Sequence, residues 1–240
     1  MTIEITSLER VAVAIWVMCV VGIDGCRGGW IAVLWRASVE VHFWPTLDHL
    51  CEVPDATVVA IDIPIGLSDT GIRRCDALAR RELPGRASTI FNAPARACLT
   101  SIGDYARANE ISRVHSTKGL SRQSFGLLKK IREVDDYWRT SPVPLFEVHP
   151  ELSFACLNAG VPLTSKTTRQ GAQRRRELLA SQGIIVEERH TFPLRVAGGD
   201  DVLDAAACAW SARRISEGDA RCLPEIVEFD ATGREMSIRY

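Results

Sequence analysis

Short apolar runs in the first 65 residues, each ended by a polar or glycine-containing turn, predict strands. The first run, residues 13–23, is rich in Val and Ile and leads into a Gly-rich turn. A second strand is predicted at residues 30–36 and a third at Val39–Trp44, where apolar and polar residues alternate. Short connections between the three favour an antiparallel meander. The uninterrupted apolar run at 58–61 is typical of a strand buried on both faces.

Beyond residue 70 the apolar spacing becomes helical, and we predict a helical insert of about residues 70–142. Within it, one helical face carries apolar residues three and four positions apart, namely Phe125, Leu128, Ile131, Val134 and Trp138. Two prolines close the insert, and a short strand is predicted at residues 145–148.

The remaining chain predicts two helices, at residues 168–183 and 201–215, and a C-terminal hairpin at about 225–240. The hairpin is expected to turn at residues 231–233. This order of strands and helices predicts an α/β fold, a mixed sheet with helices on its faces, in a single domain.

Composition is ordinary for a folded globular protein: 240 residues, 46% hydrophobic and 25% charged. The net charge of −1 does not by itself indicate a polyanionic partner. Residues 70–139 differ, with fourteen Lys and Arg against seven Asp and Glu. Such an excess fits a solvated helical face as well as a phosphate-binding face.

The eight cysteines form no C-x-x-C pair, so neither a zinc motif nor a disulfide scaffold is predicted. A reducing compartment, and hence the cytoplasm, is expected. The apolar run at 11–23 is too short to span a bilayer and lacks the features of a signal peptide, so no membrane association is expected. The first ten residues read as a loose extension, which makes Met18 an alternative start to Met1.

Acidic residues at strand ends are the candidate chemistry of this chain. Asp24, Asp62 and Glu147 each end a predicted strand, and Asp204 lies in the final helix, with Asp201 one turn before it. An ionised carboxylate at the end of a buried strand resists desolvation. Several such groups at one sheet edge would repel each other unless a cation lay between them. The pattern therefore predicts a divalent-metal site.

Ordinary structural interpretations exist for the same residues. Asp24 precedes a glycine, and Asp-Gly is a common turn. Asp201 suits a helix cap, and Asp204 suits a helix surface. His149 fits a general base or a metal ligand about as well as a structural histidine. Glu151 is more typical of capping or pairing than of catalysis.

Several longer motifs resemble, in chain order, a bacterial and archaeal family known as domain of unknown function 429. The motifs are GIDGCRGGW, IDIPIGL, RRCDALARRELPGRASTIFNAPAR, KKIREVD, EVHPELSF and DVLDAA. The resemblance covers roughly residues 21–211. Members are described as predicted nucleases of the RNase H-like fold, so it implies a five-stranded mixed sheet with three antiparallel and then parallel strands. The helical insert departs from the minimal form of that fold.

The resemblance also implies a two-metal mechanism, with Mg²⁺ or Mn²⁺ ions about 3.5–4 Å apart hydrolysing phosphodiester bonds of DNA or RNA. Asp24 would bridge both ions, Asp62 and Asp204 would each hold one, and Asp201 or Glu147 would complete the set. Glu147 has no standard counterpart in that superfamily. We include it among the catalytic candidates because its strand is predicted beside the strand of Asp62.

Arg27, Arg74, Arg86 and Arg96 are candidate phosphate contacts, since arginine binds phosphate through two donors. Arg74 can equally pair with an acid on its own helix. Phe91 could stack on a base, although an aromatic residue beside an insert often anchors packing instead.

Two other classes of function fit the same pattern. Sugar kinases and actin-like ATPases share this strand core and cradle phosphate in a Gly-rich first hairpin, but this chain is short for their two domains. A binding scaffold without catalysis is the third hypothesis, since a fold does not determine a function. The oligomeric state, the choice between DNA and RNA, and endonuclease against exonuclease action are not indicated by the sequence.

Overall fold

The main sheet has five strands in the spatial order β3-β2-β1-β4-β5. The structure is a computed structural model that describes residues 18–187 and 197–240. Its strands are β1 (Cys19–Cys26), β2 (Gly29–Trp35), β3 (Val39–Trp44), β4 (Ala56–Ile61) and β5 (Leu145–Glu147). The first three pair antiparallel, whereas β4 runs parallel to β1 and β5 parallel to β4. The predicted α/β fold, a mixed sheet of three antiparallel and then parallel strands, is confirmed.

Helices lie between the strands and after them. The six α-helices of the described residues are α1 (Arg74–Glu82), α2 (Tyr105–Ser116), α3 (Arg122–Trp138), α4 (Pro150–Leu157), α5 (Arg169–Ser181) and α6 (Gly199–Glu217). Helices α1 to α3 fall within the segment predicted as a helical insert. The sequence did not predict α4, because six of its eight residues are buried and leave little polar–apolar alternation.

Element ends differ from the prediction by a few residues, as is usual for frayed termini. Strand β1 is described from Cys19 and continues past Asp24 to Cys26, while residues 13–17 lie outside the described residues. A short helix is also expected from the sequence at residues 47–51, and the structure has a 3₁₀ turn there, at Leu47–Glu52. Two further 3₁₀ turns, at Ala87–Thr89 and Arg96–Ser101, add to the predicted elements.

Helices cover both faces of the sheet. On one face, Val21 and Ile23 of β1 belong to a buried cluster that includes Leu128 and Ile131 of α3. On the other face, Val20 and its neighbours pack against the alanines of α6. Burial on both faces explains the continuous apolar character of β1 and β4.

Helix α6 approaches β1 unusually closely at Gly22. A Cβ atom added at Gly22 would lie 2.0 Å from the backbone nitrogen of Ala209 and 2.2 Å from the carbonyl oxygen of Ala205. A larger residue at Gly22, or in place of the alanines of α6 that face it, would push the helix away from the strand. This contact sets the first turns of α6 beside the end of β1, and it thereby positions Asp204 near Asp24.

A second, two-stranded sheet is formed by the C-terminal hairpin of β6 (Cys222–Phe229) and β7 (Glu235–Arg239). An isolated parallel bridge between Val148 and Arg239 joins it to the chain just after β5. The hairpin thus begins three residues before the predicted range. In the part of the chain that the structure describes, no helix combines the length and apolar character needed to cross a membrane.

Candidate functional site

A cleft of about 370 Å³ lies at the edge of the sheet where β1 and β4 end. Four aspartates from three parts of the chain line it: Asp24 in β1, Asp62 immediately after β4, and Asp201 and Asp204 in the first turns of α6. Parallel strands end at one edge, and α6 packs on β1, so these acids converge although 180 residues of sequence separate the first from the last. The structure therefore brings together all four predicted metal-binding acids.

Glu147, in contrast, does not line the cleft. Its carboxylate accepts hydrogen bonds from both terminal nitrogens of Arg73, each at 2.7 Å, and from the backbone nitrogen of Ile65 at 2.6 Å. The cause is register: Glu147 pairs with Ile61, so it faces the side of the sheet opposite to Asp62. We therefore leave Glu147 out of the site and assign it to the buried ion pair that holds the segment after β4.

The four candidate phosphate-binding arginines have different positions. Arg86 lines the cleft. Arg27 is exposed in the turn between β1 and β2, and Arg74 is exposed and lies 3.6 Å from Glu228. Arg96 pairs with acids of a buried network away from the cleft. Arg86 alone of the four therefore stays in the proposed site.

Lys166 is a cleft residue that the sequence analysis missed. Its Nζ donates to Oδ2 of Asp204 and lies 3.6 Å from Oδ2 of Asp200. It belongs to the loop before α5, where the hydroxyl of Thr168 caps the helix by accepting from the nitrogen of Gly171 at 3.0 Å. No periodicity marks such a loop residue, so only the folded chain places this cation among the acids.

Glu151 and His149 form the start of α4 and line the same cleft. Oε1 of Glu151 accepts from Arg175, a fully buried residue, at 2.7 Å, and lies 3.5 Å from Arg86. Arg175 and Arg86 together thus hold the Glu151 carboxylate in place at the cleft. The motif EVHPE pointed to this region, but the sequence analysis chose Glu147 rather than Glu151 from it.

Four buried atoms of residues that line the cleft have no hydrogen-bond partner among the described residues. They are Oδ1 of Asp204, Oε2 of Glu151, Nδ1 of His149 and Nε of Arg86. Asp204 is only 4% exposed and Glu151 only 7%. Buried polar atoms are nearly always satisfied by protein, water or a ligand, so water or a ligand is expected at these atoms.

The electrostatics of the cleft disfavour ionisation of its acids. Burial first, and then the nearby Asp204, Asp62 and Asp201, raise the pKa of Asp24 well above its ordinary value. Burial also raises the pKa values of Asp62 and Asp204 to about 7, although Lys166 lowers both. A cation bound between the carboxylates would reverse these shifts.

Asp201 has a structural contact as well as a place on the cleft. Its Oδ2 accepts from the backbone nitrogen of Gly198 at 2.7 Å, which caps the start of α6. Burial raises the pKa of Asp201, and the hydrogen bond from Gly198 lowers it in part. Its second oxygen is the one available to a ligand.

The donor atoms fit a hard divalent cation, which prefers carboxylate oxygens and, for magnesium, needs few protein ligands. Oδ1 of Asp204 is unpaired even while Lys166 holds Oδ2. Within residues 18–187 and 197–240, however, no three His, Cys, Asp or Glu side chains already surround one ion position.

A comparison with known protein families identifies the family of this chain. The model of a family described as "Protein of unknown function (DUF429)" matches residues 22–228. The chain belongs to the DUF429 family. The matched range of this DUF429 protein includes all four aspartates that line the cleft, both arginines that contact Glu151, and Lys166. No curated protein and no solved structure matches it.

Proposed function

We propose that this DUF429 protein is a metal-dependent nuclease that hydrolyses phosphodiester bonds of nucleic acid. The convergence of Asp24, Asp62 and Asp204 carries the proposal. These buried acids come from three different elements, and burial, together with repulsion from neighbouring carboxylates, raises their pKa values. Grouping like charges in this way costs stability, and strongly perturbed groups in a cleft are typical of a functional site.

The strand order supports the same proposal by analogy. An RNase H-like sheet has three antiparallel strands followed by parallel ones, and this sheet has that arrangement. In that superfamily, acids stand on the first strand, at the end of the fourth and on the last helix, where Asp24, Asp62 and Asp204 stand here. Analogy of fold raises the expectation of nuclease chemistry but does not establish it.

Asp24, Asp62 and Asp204 are the residues that would hold the ions, with Asp201 as a further ligand. Two Mg²⁺ or Mn²⁺ ions, when bound, supply an activated water and stabilise the leaving oxygen. Arg86, which also lines the cleft and lies 3.5 Å from Glu151, is the arginine that would bind a phosphate oxygen of the substrate.

Two other groups of the cleft extend this assignment. Burial lowers the pKa of His149, so the ring is neutral at pH 7 and can accept a proton at its unpaired Nδ1. Lys166 neutralises part of the acidic charge that would otherwise repel a phosphate.

Phosphoryl transfer from a nucleotide is less well supported. That hypothesis uses the Gly-rich first hairpin as a phosphate cradle. Cys26 pairs directly with Gly29, so only Arg27 and Gly28 connect β1 to β2. A two-residue turn of this kind leaves no loop that could wrap around a phosphate.

The proposal is tested by Mn²⁺ titration calorimetry on the wild type and on Asp24→Asn, followed by incubation with single-stranded, duplex and junction nucleic acids. We expect Mn²⁺ binding and cleavage in the wild type and neither in the variant, because Asp24 is the central ligand. Asp48→Asn is the matched control, since Asp48 is exposed on the 3₁₀ turn at Leu47–Glu52.

Unchanged Mn²⁺ affinity in both Asp24→Asn and Asp62→Asn would overturn the site. Mn²⁺ binding without cleavage of any nucleic acid would keep the metal site and reject the nuclease. In that case a different phosphate-containing substrate would be sought at the same cleft.

A further inference from the structure

Besides the aspartates and their immediate neighbours, the lining of the cleft comes from two parts of the chain. One part, the segment after α1 and the start of α3, contributes Arg86, Thr89, Phe91, Gln123 and Leu127. The other part, the start of α4 and the loop before α5, contributes His149, Pro150, Glu151, Ser165, Lys166 and Thr167. The two parts meet where Arg86 lies 3.5 Å from Glu151, which bounds the cleft there.

The size of this space restricts what can enter. The cleft measures about 370 Å³, at the lower end of the roughly 300–1,000 Å³ that is usual for small-molecule pockets. A space of that size suits one nucleotide unit. A rigid duplex instead presents its phosphates along an outer surface, with the neighbouring nucleotides and the partner strand fixed beside each one.

Phe91 is the aromatic residue of the cleft wall. Its ring is half-buried, and it also borders a second cavity of about 160 Å³ on the side of α2. Asn92 lines that second cavity, and its Oδ1 is buried without a partner among the described residues. An aromatic face and an unpaired amide beside each other are the groups that bind an unpaired base, by stacking and by hydrogen bonds to its edge.

We propose that the cleft takes an unpaired nucleotide, so that the substrate is single-stranded nucleic acid and Phe91 stacks on the base. The inference rests on the proposed function for its class of substrate. A base in a duplex is stacked and paired, so neither its faces nor its Watson–Crick edge could reach Phe91 and Asn92. An unpaired nucleotide can enter the cleft and bring its phosphate to Arg86 and the acids.

Binding is measured by fluorescence anisotropy with short fluorescein-labelled DNA and RNA strands, each single or annealed to its complement. Ca²⁺ is the added cation, and Mn²⁺ cleavage assays are run separately. We expect single strands to bind at least about tenfold more tightly than duplexes. Phe91→Ala should weaken single-strand binding by about 5- to 150-fold, the range set by stacking on one aromatic side chain.

Phe229→Ala is the matched control, because Phe229 is 60% exposed on the hairpin and lies away from the cleft. Phe91→Tyr, which keeps the ring, should retain single-strand binding. Thermal unfolding of each variant separates loss of stacking from loss of fold. If Phe91→Ala fails to fold, Asn92→Ala and the strand preference of the wild type test the same inference.

Equal affinity for single strands and duplexes, or no affinity for either, would overturn the inference. Preference for single strands without any cleavage would support it while rejecting the nuclease. Cleavage of duplexes as fast as single strands would support the nuclease while rejecting the inference.

Discussion

Buried carboxylates occur in two regions of this protein, and their surroundings are opposite. In the cleft, Asp204 receives one donor, from Lys166, and its other oxygen has no partner among the described residues. In the network beneath the C-terminal hairpin, the Asp230 carboxylate receives donors from Arg96, from the hydroxyl and backbone nitrogen of Thr232, and from two further backbone nitrogens. Both acids are at most 8% exposed, so burial does not distinguish them.

The difference appears in their ionisation. Burial raises the pKa of Asp204 to about 7, and Lys166 does not offset it. Burial also acts on Asp230, but hydrogen bonds from Thr232, Leu67, Arg234 and Arg96 hold its pKa well below the ordinary value. A buried carboxylate whose oxygens all accept hydrogen bonds contributes to the fold, whereas one with an oxygen left unpaired is suited to binding a ligand.

The ion pair of Arg73 and Glu147 is a third case of buried charge, and its hydrogen bonds are like those of the network around Asp230. Burial alone would lower the pKa of Arg73, but Asp76 and Glu147 raise it well above its ordinary value. Arg73 also donates to the carbonyl oxygens of Ile65 and Gly66, at 2.9 and 3.0 Å. In its hydrogen bonds Glu147 resembles Asp230 rather than the cleft acids, but burial raises its pKa to about 7 despite Arg73, as it does for Asp204. Hydrogen-bond partners, and not the pKa alone, therefore distinguish Glu147 from the acids of the cleft.

The largest expected change in the free energy of unfolding comes from removing a buried charge whose oxygens all accept hydrogen bonds. Asp230→Asn keeps the shape of the side chain but puts an NH₂ group in place of one acceptor oxygen, against the donors of Arg96 and Leu67, so we expect the free energy of unfolding to fall by about 3–5 kcal/mol. Urea denaturation measures it. A loss below about 0.5 kcal/mol would mean that the network adds little and that the comparison is invalid.

An opposite and smaller effect is expected in the cleft. Asp24→Asn removes a buried charge that repels its neighbours, so without metal the free energy of unfolding should rise by about 1 kcal/mol. Saturating Mn²⁺ should stabilise the wild type and not the variant, since binding to the native state adds to its stability. Urea denaturation in EDTA and in Mn²⁺ gives both values. Destabilisation by this substitution in EDTA would show that Asp24 is structural.

The pH dependence of stability should differ in sign between Asp62 in the cleft and Asp230 in the network. The pKa of Asp62 is raised to about 7, so the unfolded chain ionises first as the pH rises from about 4, and stability falls up to about pH 7. For Asp230, whose pKa is lowered, stability is present above the ordinary value and is lost as the pH falls below it.

Melting temperatures in EDTA between pH 4.5 and 7.5 test this sign. We expect Asp62→Asn to match the wild type near pH 4.5 and to exceed it increasingly toward pH 7.5. A constant difference across that range would show that the Asp62 carboxyl titrates at the same pH in the folded and unfolded chains.

Much of the fold could be predicted because it depends on local periodicity. The run at 58–61, the alternation in Val39–Trp44 and the stripe at 125–138 each identify an element without reference to the rest of the chain. Helix α4 could not be predicted in this way. The surrounding elements bury six of its eight residues, so its sequence shows no amphipathic pattern.

Local patterns in the sequence were sufficient to predict the mixed α/β sheet and to single out Asp24, Asp62, Asp201 and Asp204, because strand ends and helix starts are local features. The contact of Glu147 with Arg73 depends on strand pairing instead, since pairing of Glu147 with Ile61 turns it away from Asp62. The folded chain likewise decided that Lys166 joins the acids, because a loop residue acquires neighbours through packing and not through spacing.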